Sequence, residues 1–403
     1  MKKKILIVTP RSPFQGRGAD ELDRLTGIEW FIEQGFKVTV ITKTMPSDVS
    51  FLDGARKRLG IEIISVPYKF TDKRGFIDRF FRLSKRIIWP PYWDGASFEY
   101  FDNEIQFQVG NIIENFKPEL VWFDYTYLWP LYHLAKEKHI PIITRSINFE
   151  PTHFLDEDKR SIFNLIRVIP KYLSEVITLR KSSLLFCITP KEEGIYKQLS
   201  KTPVYTLPLR VLPHRMGVAR THHRIGVMKV GFMPSTYSVH HNLDALLFLV
   251  NDIFPLIPSD SRDSIEFHIT GNRIPDEVKH SLPSQVVYEG FVPNSKDFWD
   301  DMDVAFAPSL FGAGMQMKIF EPIALGVPTV TQSRGFAGYP FVCGEHVLCA
   351  ENPQEFAHAF VRLFNDYDLR KTLSSQAQKL SIQLFSKQTM NAILKQAIHE
   401  NIV

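Results

Sequence analysis

Two residues of opposite charge, Lys318 and Glu321, follow a loop that reads Gly312-Ala313-Gly314-Met315-Gln316. Ahead of the loop, residues 304–307 form a short apolar run that reads as a buried strand. The glycines permit a tight turn, and residues 316–325 carry Met317, Phe320 and Ala324 at helical spacing. Gly326 ends that helix, and residues 327–330 open the next strand. The spacing therefore predicts a strand, a glycine loop and a helix N-terminus in succession. That end of a helix exposes free N–H groups and partial positive charge, which favours an anion. Residues three apart share one helix face. A cation suited to phosphate beside a carboxylate suited to hydroxyls points to a nucleoside diphosphate with its ribose. An ordinary strand-to-helix connection with two solvated charges is the other reading of the same residues. The length and order of the stretch favour the site.

The stretch resembles the donor-site signature of nucleotide-sugar glycosyltransferases of the GT-B fold, in particular the retaining family four. Phe311 to Gly314, Lys318, Glu321 and Ala324-Leu325-Gly326-Val327-Pro328 carry the resemblance. It implies an α/β chain of two Rossmann-like, doubly wound domains facing across a cleft, with a C-terminal helix crossing back to the N-terminal domain. It also implies that Glu321 binds the ribose hydroxyls and that Lys318 reaches the diphosphate. Many members place a second glutamate where this chain has Ala313, and a subset has Gly-Ala-Gly, as here. The donor sugar is then left to backbone N–H groups around Gly312, Ala313, Gly314, Met315 and Gln316. By the same resemblance Arg273 joins Lys318 on the diphosphate, Phe291 and Val292 lie near the base, and the loop holding Gly16 and Gly18 approaches the reacting sugar.

At 403 residues the chain is long for one core, so two domains are expected. The expected division is 1–207 with a returning helix 386–403, a linker 208–226, and a donor domain 227–385. The apolar share of 44% and the charged share of 23% are those of a water-soluble globular chain, and a net charge of +4 leaves any basic function to local patches. Cys187, Cys343 and Cys349 are scattered and read as free thiols in a reducing, cytoplasmic setting. No apolar run reaches the ~18 residues of a spanning helix. Met1-Lys-Lys-Lys4 with 5–8 reads as a first strand rather than a signal peptide.

The elements that must position the chemistry alternate along the whole chain. Strands are expected at 5–9, 37–41, 61–66, 120–123, 140–144, 184–188 and 204–207, then at 227–232, 265–270, 286–288 and 347–349. Helices are expected between them, among them 98–116, 161–182 broken at Pro170, and 243–257 capped by Asn242. Gly16-Arg17-Gly18 lacks the third glycine of a dinucleotide fingerprint, and no acid ends the second strand, which argues against NAD.

Loops after strand ends carry ligands in such sheets, so Asp124, Arg145, Asn148 and Glu150 are acceptor-side candidates; each could equally cap its strand. The related transferases often have a histidine in that last loop, where Ile147 stands here, so no catalytic histidine is named. The linker arginines and histidines, including Arg210, Arg215, Arg220, His222 and His223, read as solvated, with no metal site.

One segment breaks the pattern. Residues 69–93 interleave bases with aromatics, and 76–88 read as an amphipathic helix with Arg79, Arg82, Lys85 and Arg86 on one face and Trp89 and Trp93 beyond it. It suits an anionic membrane surface, or an ordinary helix with its apolar side in the core; nucleic acid fits less well, because no second basic patch appears.

The expected function is retaining transfer of a sugar from a nucleotide sugar to a hydroxyl of a glycan or lipid-linked acceptor, in polysaccharide or lipopolysaccharide synthesis. No metal is expected, since no Asp-x-Asp is placed to hold one, and the nucleotide sugar is a substrate, not a cofactor. The alternatives are a nucleotide-sugar 2-epimerase of the same fold and a non-catalytic sugar-binding subunit.

Overall fold

Seven apolar runs in the first half of the chain become seven strands: β1 (Lys4–Thr9), β2 (Lys37–Thr44), β3 (Glu62–Pro67), β4 (Leu120–Phe123), β5 (Ile142–Arg145), β6 (Leu184–Cys187) and β7 (Val204–Thr206). Every residue of β4, β5 and β6 is buried, which is why these segments show no polar alternation. The strands pair in parallel in the order β3-β2-β1-β4-β5-β6-β7. The structure, a computed structural model, describes residues 3–16, 18–68, 84, 88–157, 162–218, 220, 222, 226–310 and 315–402.

Residues 1–211 and 390–403 make one compact unit, and residues 212–389 make another. The second unit holds β8 (Met228–Phe232), β9 (Ile265–Thr270), β10 (Val286–Gly290), β11 (Val304–Phe306), β12 (Thr329–Thr331) and β13 (Leu348–Cys349). They too pair in parallel, in the order β10-β9-β8-β11-β12-β13. Each sheet reverses its strand order once, between β1 and β4 and between β8 and β11. Open parallel sheets bind ligands beyond the strand ends at such a reversal.

The last helix, Lys387–Asn401, completes the first unit. Met390, Leu394, Ala397 and Ile398, spaced along one face, join a core that includes Ile5, Phe31, Trp122 and Leu207. Tyr205 also donates from its hydroxyl to Glu400 Oε2 at 2.7 Å.

Several local expectations are corrected. The helix Ile162–Lys181 runs through Pro170 without a break. Its later turns are anchored: Trp129 Nε1 donates to Ser174 Oγ at 3.1 Å, and Thr178 Oγ1 donates to the Thr126 carbonyl at 2.6 Å. Such tertiary contacts offset an interior proline that costs about 3 kcal/mol. The expected helix 98–116 is two, Gly95–Glu99 and Asn103–Phe116, because the Asp102 side chain caps the second by accepting from the Glu104 N–H. Helix His240–Leu247 starts before Asn242 and gives way to a wide turn, Phe248–Ile253, and a tight one, Phe254–Leu256. Pro255 offers no N–H to continue an α pattern there. Cys343 and Cys349 are bonded, not free. The chain reverses between them, with a bridge from Cys343 to Val347, and brings their Cα atoms to 5.6 Å. Cysteine usage therefore no longer argues for a reducing setting. Cys187 is a buried free thiol, pushed up to about 12 by its burial.

Candidate active site

In the second unit, β11 leads through residues 307–316 into helix Met317–Ala324, whose N-cap is Gln316. Ile319, Phe320, Ile323 and Ala324 are buried, and Phe320 stacks on Tyr339 at 5.3 Å. The helix start is fastened by polar contacts. Gln316 Nε2 donates to Ser309 Oγ at 2.8 Å, and the fully buried Ser309 donates its N–H to Gln332 Oε1 at 2.6 Å. Gly335 allows the turn after β12 to close on this start, since a Cβ there would lie 2.6 Å from Ile319 Cδ1. The predicted loop residues Gly312, Ala313 and Gly314 lie outside the described residues. Met315 is buried and Gln316 partly exposed.

Lys318 and Glu321 sit on this helix in different states. Glu321 has a side chain 10% exposed, and its Oε1 accepts from Arg215 Nη1 at 3.0 Å and from Ser295 Oγ at 2.5 Å. Two donors from distant segments hold one carboxylate oxygen in place. Lys318 makes no ion pair among the described residues. Burial pushes its ammonium down to about 8, and the nearby Arg334 guanidinium adds to the fall. Burial also lowers the His241 imidazole, and the Lys318 charge lowers it further. Lys318, Arg334 and His241 thus converge on one spot from three elements: the site helix, the turn Ser333–Phe336 after β12, and helix His240–Leu247 after β8. A partly buried lysine with a second cation, Arg334, nearby and a helix N-terminus beside it has the electrostatics of an anion site.

The rim of the unit is laced at the ends of β8, β9 and β10. The Asn272 N–H donates to the Ser235 carbonyl at 3.2 Å, the Tyr237 N–H to the Asn272 carbonyl at 2.9 Å, and the Gly271 N–H to the Gly290 carbonyl at 2.9 Å. Gly271 needs its freedom: its φ is +109°, and a Cβ would lie 2.8 Å from the Pro234 carbonyl oxygen. Arg273 follows in a left-handed conformation, φ +57°, with its side chain exposed. A second cation, Arg334, acts on Lys318 from the turn after β12. Phe291 is 68% exposed beyond β10, while Val292 packs against Phe298, Trp299 and Met302.

The linker was expected to be solvated; His214 is, but the three described arginines are engaged with protein partners. Arg215 holds Glu321; Arg220 donates to the carbonyls of Trp299, Asp300 and Met302; Arg210 is buried in the first unit. Each guanidinium has enough donors to satisfy several acceptors at once, which is why arginine can leave water here.

In the first unit, Gly16 has φ +64°, and Gly18 is the N-cap of helix Ala19–Glu33. The acceptor-side candidates divide. Asp124 and Arg145 are interior and do not face a ligand, which corrects the expectation for both. Asp124 Oδ1 accepts from Trp122 Nε1 at 2.7 Å and Arg210 Nη2 at 3.0 Å. Arg145, fully buried, donates to the Leu207 and Pro208 carbonyls and lies 3.5 Å from Asp23. Arg210 also donates from Nη2 to Asp23 Oδ2 at 2.7 Å. Burial pushes the Asp23 carboxyl up, but Arg210 and Arg145 outweigh it and hold Asp23 below its usual range. Asn148 and Glu150 remain partly exposed. Glu150 Oε1 accepts from the Tyr125 hydroxyl at 2.6 Å, and its Oε2 lies 3.4 Å from Lys171 Nζ.

Residues 76–88 fall largely outside the described residues, Arg79, Arg82, Lys85 and Arg86 among them. Trp89 and Trp93 are about half exposed. Beside Trp93, a cavity of about 270 Å³ is lined by Asp94, Phe154, Ile166, Pro170 and Lys171. No described helix is long and apolar enough to cross a membrane.

With this geometry in hand, comparison with known proteins is direct. Residues 229–366, which include the whole candidate site except Arg215, match the family described as glycosyl transferases group 1. HepE from Anabaena, solved in complex with UDP, superimposes with a TM-score of 0.66 at 15% identity, spanning 99% of this chain and 100% of that one. The fold is GT-B. TarM gives the same TM-score of 0.66 at 11% identity over 99% of this chain and 98% of its own. A putative UDP-N-acetylglucosamine 2-epimerase from Listeria monocytogenes gives 0.59 at 12% identity, over 100% of this chain and 98% of that one. No curated protein matches by sequence. At such identities the superpositions establish the GT-B fold, and the family match bears on the second unit.

Proposed function

We propose that the chain is a retaining glycosyltransferase that moves a sugar from a nucleoside diphosphate sugar to a hydroxyl of a glycan or lipid-linked acceptor in cell-envelope polysaccharide synthesis. The observation that carries this reading is the pair on helix Met317–Ala324: a pinned carboxylate, Glu321, and a partly buried lysine without an ion pair among the described residues, Lys318. Glu321 would take the ribose hydroxyls. Lys318, with Arg334 behind it, would take the diphosphate. As the bond from the sugar to the phosphate oxygen breaks, negative charge grows on the leaving diphosphate, and a cation already in place lowers the barrier. Exposed Phe291 is suited to stack on the base. HepE has been solved with UDP-glucose, and Staphylococcus aureus TarM with fondaparinux, alpha-GlcNAc-glycerol and UDP, so uridine nucleotides are the first donors to try. Peripheral contact with an anionic membrane is part of the proposal. It is supported by Ile88, Trp89 and Trp93 and by Leu165, Ile166, Ile169 and Tyr172 of helix Ile162–Lys181, all exposed.

The test is incubation with a panel of nucleotide sugars, with and without lipid-linked acceptors, followed by NMR of the product. The expected result is acceptor-dependent release of nucleoside diphosphate and a glycoside with the donor's anomeric configuration. Lys318→Met should reduce transfer by about 10²- to 10³-fold. The second reading, supported by the superposition on the Listeria protein, is 2-epimerisation. It would appear as an epimerised sugar formed without any acceptor.

A further inference from the structure

A second cationic site lies in the first unit, at the reversal between β1 and β4. Arg24, on helix Ala19–Glu33, has a side chain only 5% exposed. One of its nitrogens, Nη2, donates to Asp20 Oδ2 at 3.1 Å, and Asp20 is itself mostly exposed. Its Nε and Nη1 are buried and have no hydrogen-bond partner among the described residues. Elsewhere in this unit Arg210 is satisfied by Asp23 and Asp124, and Arg145 leaves one nitrogen, Nε, open against two for Arg24. Ser12, in the loop after β1, is 3% exposed, and its hydroxyl is also without a partner among the described residues. Buried donors left open disfavour the unliganded state unless something fills them.

The surroundings indicate what would fill them. The Arg24 charge reaches Tyr100 and Tyr127, whose rings stack at 5.8 Å. The Arg11 guanidinium, hydrogen-bonded to Tyr68 and 5.2 Å from its ring, interacts with the same two tyrosines. Burial keeps Tyr100 and Tyr127 neutral. Apart from Asp20 on Arg24 Nη2, the acids that act on these tyrosines are engaged elsewhere, Glu99 with Lys43 and Glu150 with Tyr125 and Lys171. Two arginines therefore face an uncharged aromatic wall just where an open parallel sheet receives ligands.

We propose that Arg24, with Arg11 and the Ser12 hydroxyl, binds a negatively charged group, phosphate or carboxylate, carried by the acceptor. This deepens the transferase reading and rests on it: the acceptor would be an anionic glycan or a phosphate-linked one.

The test uses the full chain with Lys318→Met, which disables the diphosphate site, and titrates inorganic phosphate and glucuronate by calorimetry. Saturable binding of either anion is expected, phosphate alone indicating a phosphate-bearing acceptor and glucuronate alone an acidic sugar. Adding Arg24→Met should weaken that binding about tenfold or more while leaving the melting temperature unchanged or raised, because a buried charge with open donors is removed. Ser12→Ala should weaken it less and provides a second probe if Arg24→Met does not fold. Failure of both anions to bind overturns the proposal. So does binding that survives Arg24→Met, or, if that variant does not fold, binding that Ser12→Ala leaves unchanged. No donor is needed, so these outcomes are independent of whether transfer itself occurs.

Discussion

Lys318 is held where its charge is disfavoured, a state that a bound anion would relieve. With its ammonium pushed down to about 8, the free protein carries the charge below that pH and loses it above. An anion binds the charged form, so nucleoside diphosphate affinity should be level below pH 7.5. It should then weaken as pH rises through 8, by up to about tenfold per unit. Titrating UDP between pH 6.5 and 9.5 checks this, and Lys318→Arg, which stays charged, should flatten the curve. An unsloped wild-type profile would remove Lys318 from the diphosphate.

Lys318 and Glu321 were legible in the sequence because helical spacing is local. Arg215 was not, since it reaches Glu321 across 106 positions of chain. Asp124 and Arg145 were misread for a related reason. A polar residue at a strand end turns inward only if a buried partner awaits it, and Arg210 and Asp23 were invisible as partners. Gly27 was the available signal. A glycine in mid-helix costs about 1 kcal/mol, and here a Cβ would overlap the Arg210 guanidinium.

At the scale of elements, helix Ile162–Lys181 has two unlike faces. Ser174, Thr178 and Glu175 face inward to Trp129, Thr126 and Tyr196. Leu165, Ile166, Ile169 and Tyr172 are exposed, and Ile166 shares a cavity lining with Trp93. Replacing Leu165 and Ile169 together with Asp should lower co-sedimentation with anionic vesicles several-fold. Each change removes a methylene-rich side chain and adds repulsion from the lipid charge. Transfer to a water-soluble acceptor should hold. Equal sedimentation of variant and wild type would refute membrane contact through this face. The strands were readable because burial on both faces writes them as unbroken apolar runs. The helices were readable in place but not in extent, since capping by Asp102 and the anchoring of Pro170 are decided by tertiary contacts.

The whole molecule repeats one plan: an all-parallel sheet, one reversal of strand order, and charged side chains gathered beyond the strand ends there. That alternation was visible along the sequence, whereas the return of Lys387–Asn401 to the first unit's core followed from family resemblance rather than from local pattern. The plan makes opposite demands of charge in the two units. In the first, Asp23, Asp124, Arg145 and Arg210 neutralise each other inside; in the second, Lys318 is left without an ion pair among the described residues. The most direct test of that contrast is a crystal structure of the full chain grown with UDP. The account predicts pyrophosphate oxygens about 3 Å from Lys318 Nζ and ribose hydroxyls on Glu321. Nucleotide ordered elsewhere on the chain, or none at saturating concentration, would contradict it.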